Sequence, residues 1–238
     1  KTTTLYALLQ LLNDPARKLI TIEDPVEYAL PGVHQMQVRP RIGLEFANVL
    51  RSVLRHDPDV IMVGEIRDLD TAAMAIQAAL TGHLVLSTLH TNDAASAVTR
   101  LADMGVEPYL MASAVRGVMA QRLVRTLCVK CRVPDKEGVD ALRALDPDLA
   151  DKNGAATIYR PGGCDACGET GFSGREAIAE LIVVDDAIRT AILAGADARG
   201  IADLARGAGG GAMRRDGLQK VIAGRTSIDE VLRAVGTP

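Results

Sequence analysis

The chain has 238 residues, 48% apolar and 24% charged, the balance of a folded globular protein and not of a disordered, collagenous or disulfide-stapled one. Its formal charge is −3, from 27 basic and 30 acidic residues, and its aromatics are four Tyr and two Phe with no Trp. That balance argues against a polyanion-binding surface or a stacking platform for single strands, so no nucleic-acid partner is expected.

Lys1-Thr2-Thr3, followed by Thr4-Leu5-Tyr6-Ala7-Leu8-Leu9, opens a helix. Lys-Thr at a helix N-terminus matches the tail of a phosphate-binding loop: the ammonium neutralises β/γ-phosphate charge, the hydroxyl ligates Mg²⁺, and the helix amides add a favourable dipole. Lys18–Glu23 reads as a buried strand, with carboxylates just past its C-terminal end in Thr21–Tyr28, where open parallel sheets bind ligands. Leu44–Arg55 carries Phe46, Val49, Leu50, Val53 and Leu54 at helical spacing. Val60-Ile61-Met62-Val63 is a second strand, running into Gly64-Glu65-Ile66-Arg67-Asp68; an acid after four apolar strand residues is a Walker B pattern. Asp70–Leu80 reads as a helix capped by Asp70, with Ala73, Met74, Ile76 and Leu80 inward. His83–Leu89 is a third strand, bracketed by His83 and His90, and Asn92–Met104 a helix capped by Asn92 and ended by Gly105. Strands separated by such helices imply βαβ units and a parallel sheet.

Leu110–Leu127 continues as a long helical pattern. Cys128-x-x-Cys131 and Cys164-x-x-Cys167 then stand 32 residues apart, in glycine-rich turns. Two such pairs supply four thiolates to one tetrahedral Zn²⁺, and His34, His56, His83 and His90 all lie outside the module, so the ligand set is Cys₄. With no open coordination position the metal is structural; a redox dithiol or a pair of disulfides is the competing reading. The metal would rigidify a protrusion bearing Arg122, Arg125, Lys130 and Arg132, read as a solvated or partner-facing surface. Glu176–Gly236 has apolar spacing of helical type, broken by the glycines of 207–211, with Ser227-x-x-Glu230 as a capping box before the last helix.

In this order the motifs resemble those of the secretion ATPases that power type II secretion and type IV pilus assembly, over essentially the whole chain. Lys1–Tyr6 is similar to the end of their Walker A motif, Thr21–Tyr28 to their Asp box, Val60–Asp68 to their Walker B motif, and Gly82–Asn92 to their His box; the four cysteines resemble their tetracysteine module. The resemblance implies an α/β fold, a RecA-like P-loop core with a parallel-rich sheet over 1–127, a Cys₄ zinc module over 128–174 and a helical subdomain over 175–238. It implies Glu23 as the catalytic carboxylate, Glu65 as the acid beside Mg²⁺, His83 and His90 as sensors, and ATP contacts from Lys1, Thr2 and the arginines Arg51, Arg55 or Arg67. It further implies a homohexamer, cytoplasmic and peripheral at the bacterial inner membrane, working on an inner-membrane platform and the cytoplasmic domains of a secretion or pilus machine. A RecA-like nucleic-acid translocase and a docking module with a vestigial ATPase are the alternatives from other classes. The chain begins on Lys1 with no initiator Met; it is expected to be a fragment that binds ATP feebly and still holds zinc.

Overall fold

A computed structural model describes residues 1–153, 156–207 and 212–236. In chain order the elements are α1 (Thr2–Leu12), β1 (Leu19–Glu23), β2 (Val33–Gln37), α2 (Phe46–Val53), β3 (Val60–Val63), α3 (Leu69–Leu80), β4 (Leu84–Ser87), α4 (Ala95–Asp103) and α5 (Pro108–Ala114). There follow β5 (Gly117–Leu127), β6 (Val133–Pro134), α6 (Gly138–Leu145), α7 (Pro147–Lys152), β7 (Tyr159–Arg160), β8 (Phe172–Val183), α8 (Asp186–Leu193), α9 (Ala198–Gly207), α10 (Met213–Ile222) and α11 (Ile228–Val235). They form two compact units, 1–118 with 183–204, and 119–182 with 205–238.

The first unit is built on a four-stranded parallel sheet in the order β2-β1-β3-β4. All residues of β1 and β3 are buried, as expected of central parallel strands covered on both faces. On one face α1 lays Leu5, Tyr6 and Leu9 against Leu19, Val60 and Met62. Alternation sends Ile20, Ile22, Ile61 and Val63 to the other face, all buried, where α2 packs on β1 and α3 on β4.

Three local expectations are corrected. The cap of α3 is Asp68, whose side chain accepts from the Thr71 amide, and Asp70 sits in the first turn. That rotates the buried face to Ala72, Ala75, Ile76 and Ala78 and leaves Leu80 exposed. Before α4 the amide of Ser96 is taken by Asp93, one residue beyond the expected Asn92. The helix expected over 110–127 stops at Ala114, and Gly117–Leu127 is a strand.

β5 pairs with β8, which runs to Val183 through residues expected to be helical. The Val184 amide on the Arg116 carbonyl and the Cys128 amide on the Gly171 carbonyl fix the pair as antiparallel. Within the second unit α6, α7, α10 and α11 enclose a separate core of Leu142, Leu149, Ile158, Leu218, Val221, Ile228 and Val231. Ser227 caps α11 by accepting from the Glu230 amide, while the Glu230 carboxylate is held by Arg125 and Arg233. Residues 208–211 of the glycine-rich break lie outside the described residues. No helix among the described residues is long and apolar enough to cross a membrane.

Candidate active site and metal centre

The chain leaves β1 toward β2 on one side and β3 toward β4 on the other, so strand order reverses between β1 and β3. The C-terminal ends of these strands flank the crevice in which open parallel sheets bind ligands. Glu23 ends β1, and Glu65 follows β3 by two residues; the Gly64 amide bonds the Ile22 carbonyl at 2.7 Å, drawing the two strand ends together. A side chain at 64 would stand 3.2 Å from that carbonyl, so the close approach favours glycine.

Glu23 is only 3% exposed. Its Oε1 accepts from Thr21 Oγ1 at 2.6 Å and Gln35 Nε2 at 3.0 Å, and its Oε2 accepts from the Tyr6 hydroxyl of α1. Burial, with the carboxylate beside it, pushes the Tyr6 hydroxyl up to about 12, so it remains a donor. Glu65 accepts from Arg67 on Oε1 and lies 3.1 Å from His90 Nε2 on Oε2. Burial raises the Glu65 pKa, but Arg67 and His90 outweigh it and hold the carboxyl below its ordinary range. Lys1 reaches the same edge: its Nζ donates to the Leu89 carbonyl at 2.5 Å, one residue before His90. Thr2 is the first residue of α1.

The fold therefore brings Lys1, Thr2, Glu23, Glu65, Arg67 and His90 to one edge of the sheet. It does not bring His83, Arg51 or Arg55 there. His83 precedes β4, its Nδ1 2.8 Å from the Ala78 carbonyl and 3.1 Å from Thr81 Oγ1 at the end of α3. Arg55 lies in the turn into β3, beside His56, whose carbonyl accepts from Lys18 at the start of β1. Arg51, on the last turn of α2, stands 3.4 Å from Asn48. His83 and Arg55 thus belong to the strands' N-terminal edge, and Arg51 to the surface of α2.

The sequence reading missed Tyr6 and Gln35. Tyr6 falls among Leu5 and Leu9 in the apolar pattern of α1, and Gln35 sits on β2, whose Val-His-Gln-Met-Gln carries no strand signature.

In the second unit the four cysteine sulfurs all lie within 4.8 Å of one another. Four thiolates around one Zn²⁺ at about 2.3 Å stand about 3.8 Å apart. Here Sγ separations are 4.0 Å for Cys128–Cys164 and 3.8 Å for both Cys131–Cys167 and Cys164–Cys167. The donor set and its spacing fit a tetrahedral metal. The turns are built alike: the Cys131 amide bonds the Cys128 carbonyl and the Cys167 amide the Cys164 carbonyl. The Gly171 amide donates to Cys167 Sγ at 3.2 Å, which favours the thiolate. A Cβ at Gly162 would stand 2.1 Å from the Cys131 carbonyl oxygen, so no side chain fits between the turns. Two of the expected surface arginines are structural. Arg125 pairs with Glu230 and stacks 4.1 Å over Phe172, and Arg132 donates to the Gly224 carbonyl and stacks 4.4 Å over Tyr159.

The model of the type II/IV secretion system protein family matches residues 1–233. The chain is 52% identical over 233 residues to the type II secretion system protein HxcR of Pseudomonas aeruginosa, covering 98% of this chain and 45% of that protein. It is 52% identical over 232 residues to the type IV pilus assembly ATPase PilB of Thermus thermophilus, covering 98% of this chain and 26% of that one. The chain thus spans less than half the length of either relative. The crystal structure of the pilus retraction motor PilT with bound ADP superposes with a TM-score of 0.72 at 26% identity, covering all of this chain and 58% of that one. Sheet order, strand-end carboxylates, paired cysteine turns and the match over 1–233 agree, and the chain belongs to the type II/IV secretion system protein family.

Proposed function

We propose that this chain carries the ATP-hydrolysing machinery of a motor for type II protein secretion. The single observation that carries the reading is the pairing of Glu23 and Glu65 at the ends of β1 and β3, where the strand order reverses. Phosphates bound there would meet the N-terminus of α1 with Lys1, while the Thr2 hydroxyl and Glu65 offer hard oxygen ligands for Mg²⁺. Bound Mg²⁺ would supply charge neutralisation at the phosphates. Glu23 then orients the attacking water, and Arg67 and His90, now on Glu65, are the side chains able to turn to the γ-phosphate. His83 and Arg55, at the other edge of the sheet, and Arg51, on α2, would act on a neighbouring subunit's nucleotide in a homohexamer.

The ATPase core expected over 1–127 then corresponds to the first unit, 1–118 with 183–204, and the Cys₄ module of 128–174, holding structural Zn²⁺, lies in the second, with the helices of 175–238 divided between the two units. The motor would work at the cytoplasmic side of the inner membrane on a membrane platform and associated cytoplasmic domains, driving secretion across the outer membrane. Type IV pilus extension is the second reading, favoured by identity to the pilus assembly ATPase equal to that with the secretion protein, 52% in each case. Loss of exoprotein secretion with pili intact, on deletion of the gene, selects the first reading; loss of pili with secretion intact selects the second.

A further inference from the structure

We propose that Tyr6 is a positioning residue for the carboxylate of Glu23, coupling the helix that faces the phosphates to the group that orients water. The inference rests on the reading of Glu23 as catalytic.

The acceptor sites of the carboxylate can be counted. Each carboxylate oxygen accepts about two hydrogen bonds. Among the described residues Oε1 accepts from Thr21 and Gln35, whereas Oε2 accepts from Tyr6 and keeps one acceptor site. Oε2 is thus the oxygen that can take a water, and the Tyr6 hydroxyl shares it. The hydroxyl is itself fixed, standing 3.3 Å from the Glu27 amide and from Gln35 Nε2. Its ring is fully buried and meets Tyr28 edge-on at 4.7 Å between centroids. Among the described residues the donors bonded to the carboxylate are the neutral groups of Thr21, Gln35 and Tyr6, and of these Tyr6 comes from α1. Movement of α1 when phosphates bind at its N-terminus would be transmitted one turn along the helix to Oε2.

A purely structural tyrosine would give the same contacts, so the test must separate packing from orientation. Tyr6→Phe keeps the ring and removes only the hydroxyl. In the complete gene product we expect turnover of ATP to fall roughly 10- to 100-fold with KM little changed, the size of effect that misorientation of a catalytic group produces. In a Glu23→Gln background, followed by single-turnover measurement, Tyr6→Phe should cost less than about twofold, because the group it positions is gone. Thr21→Val, which removes one Oε1 bond at unchanged volume, should show the same dependence on Glu23 and serves if Tyr6→Phe does not fold. Wild-type turnover in Tyr6→Phe, with Glu23→Gln inactive, overturns the positioning role and leaves the catalytic reading of Glu23 standing. An undiminished Tyr6→Phe loss in the Gln background also overturns it. Wild-type turnover in Glu23→Gln removes Glu23 from the reaction, and the inference with it.

Discussion

Glu230→Gln isolates a buried electrostatic anchor of the second unit. The Glu230 side chain is 1% exposed and accepts from the Arg125 amide at 2.9 Å and Nη2 at 2.7 Å, and from Arg233 Nε at 2.9 Å and Nη2 at 2.6 Å. Burial pushes the carboxyl up, but Arg233 and Arg125 more than reverse this and bring it down to about 2, from an ordinary 4.5. That displacement corresponds to roughly 3 kcal/mol of folding free energy. Both guanidiniums are about half exposed, so solvent screening reduces the expected contribution to about 2 kcal/mol. Because the folded pKa is depressed, the contribution is complete above about 4.5 and is lost as pH falls through about 2. The variant replaces one carboxylate oxygen with an amide donor facing two arginines and should lose this whole contribution at neutral pH. Amide hydrogen exchange in β5 and α11 reports the opening of these elements directly, and a loss of about 2 kcal/mol lowers their protection roughly 30-fold. The deficit should shrink toward zero between about pH 4.5 and pH 2. Protection changed less than about twofold at neutral pH, or a deficit independent of pH, would show that the charge of Glu230 does not hold β5 and α11 in place.

Gly162→Ala forces a Cβ against the Cys131 carbonyl and should separate the two cysteine turns, so elemental analysis should show zinc well below one per chain. Chelation of the metal should open 128–174 to proteolysis while leaving the protection of β1 and β3 unchanged, since the sheet takes no ligand from the cysteines. Asp68→Ala removes the cap on the Thr71 amide and should cost about 1 kcal/mol, read as faster exchange in the first turn of α3.

The strands β1, β3 and β4 were legible because parallel strands write themselves as short apolar runs, and the cysteine cluster because its spacing is chemical. β2 was not: it is an edge strand, and Gln35 is half-buried for the sake of its bonds to Glu23 and Tyr6. The ribbon of β5 and β8 reads as helix in the sequence for a geometric reason. Its inward residues, Ala120 and Val124 on one strand and Ile178 and Ile182 on the other, stand four apart, a spacing that shares one face in either a helix or a strand. Only pairing between segments some fifty residues apart decides between the two, and no local pattern carries that. The same limit applies at the site: the acids were visible past their strands, whereas Tyr6 becomes part of it only once α1 is laid across the end of β1.

The proposed role of the acids at the reversal point of the sheet is ATP hydrolysis. It is tested most directly by ATP binding and steady-state turnover of the complete gene product with Glu65→Gln. The amide keeps the shape of the side chain but not the charge that Mg²⁺ requires, so nucleotide affinity should stay within a few-fold while turnover falls by about 100-fold or more. Turnover equal to that of the unaltered protein would remove Glu65 from the reaction.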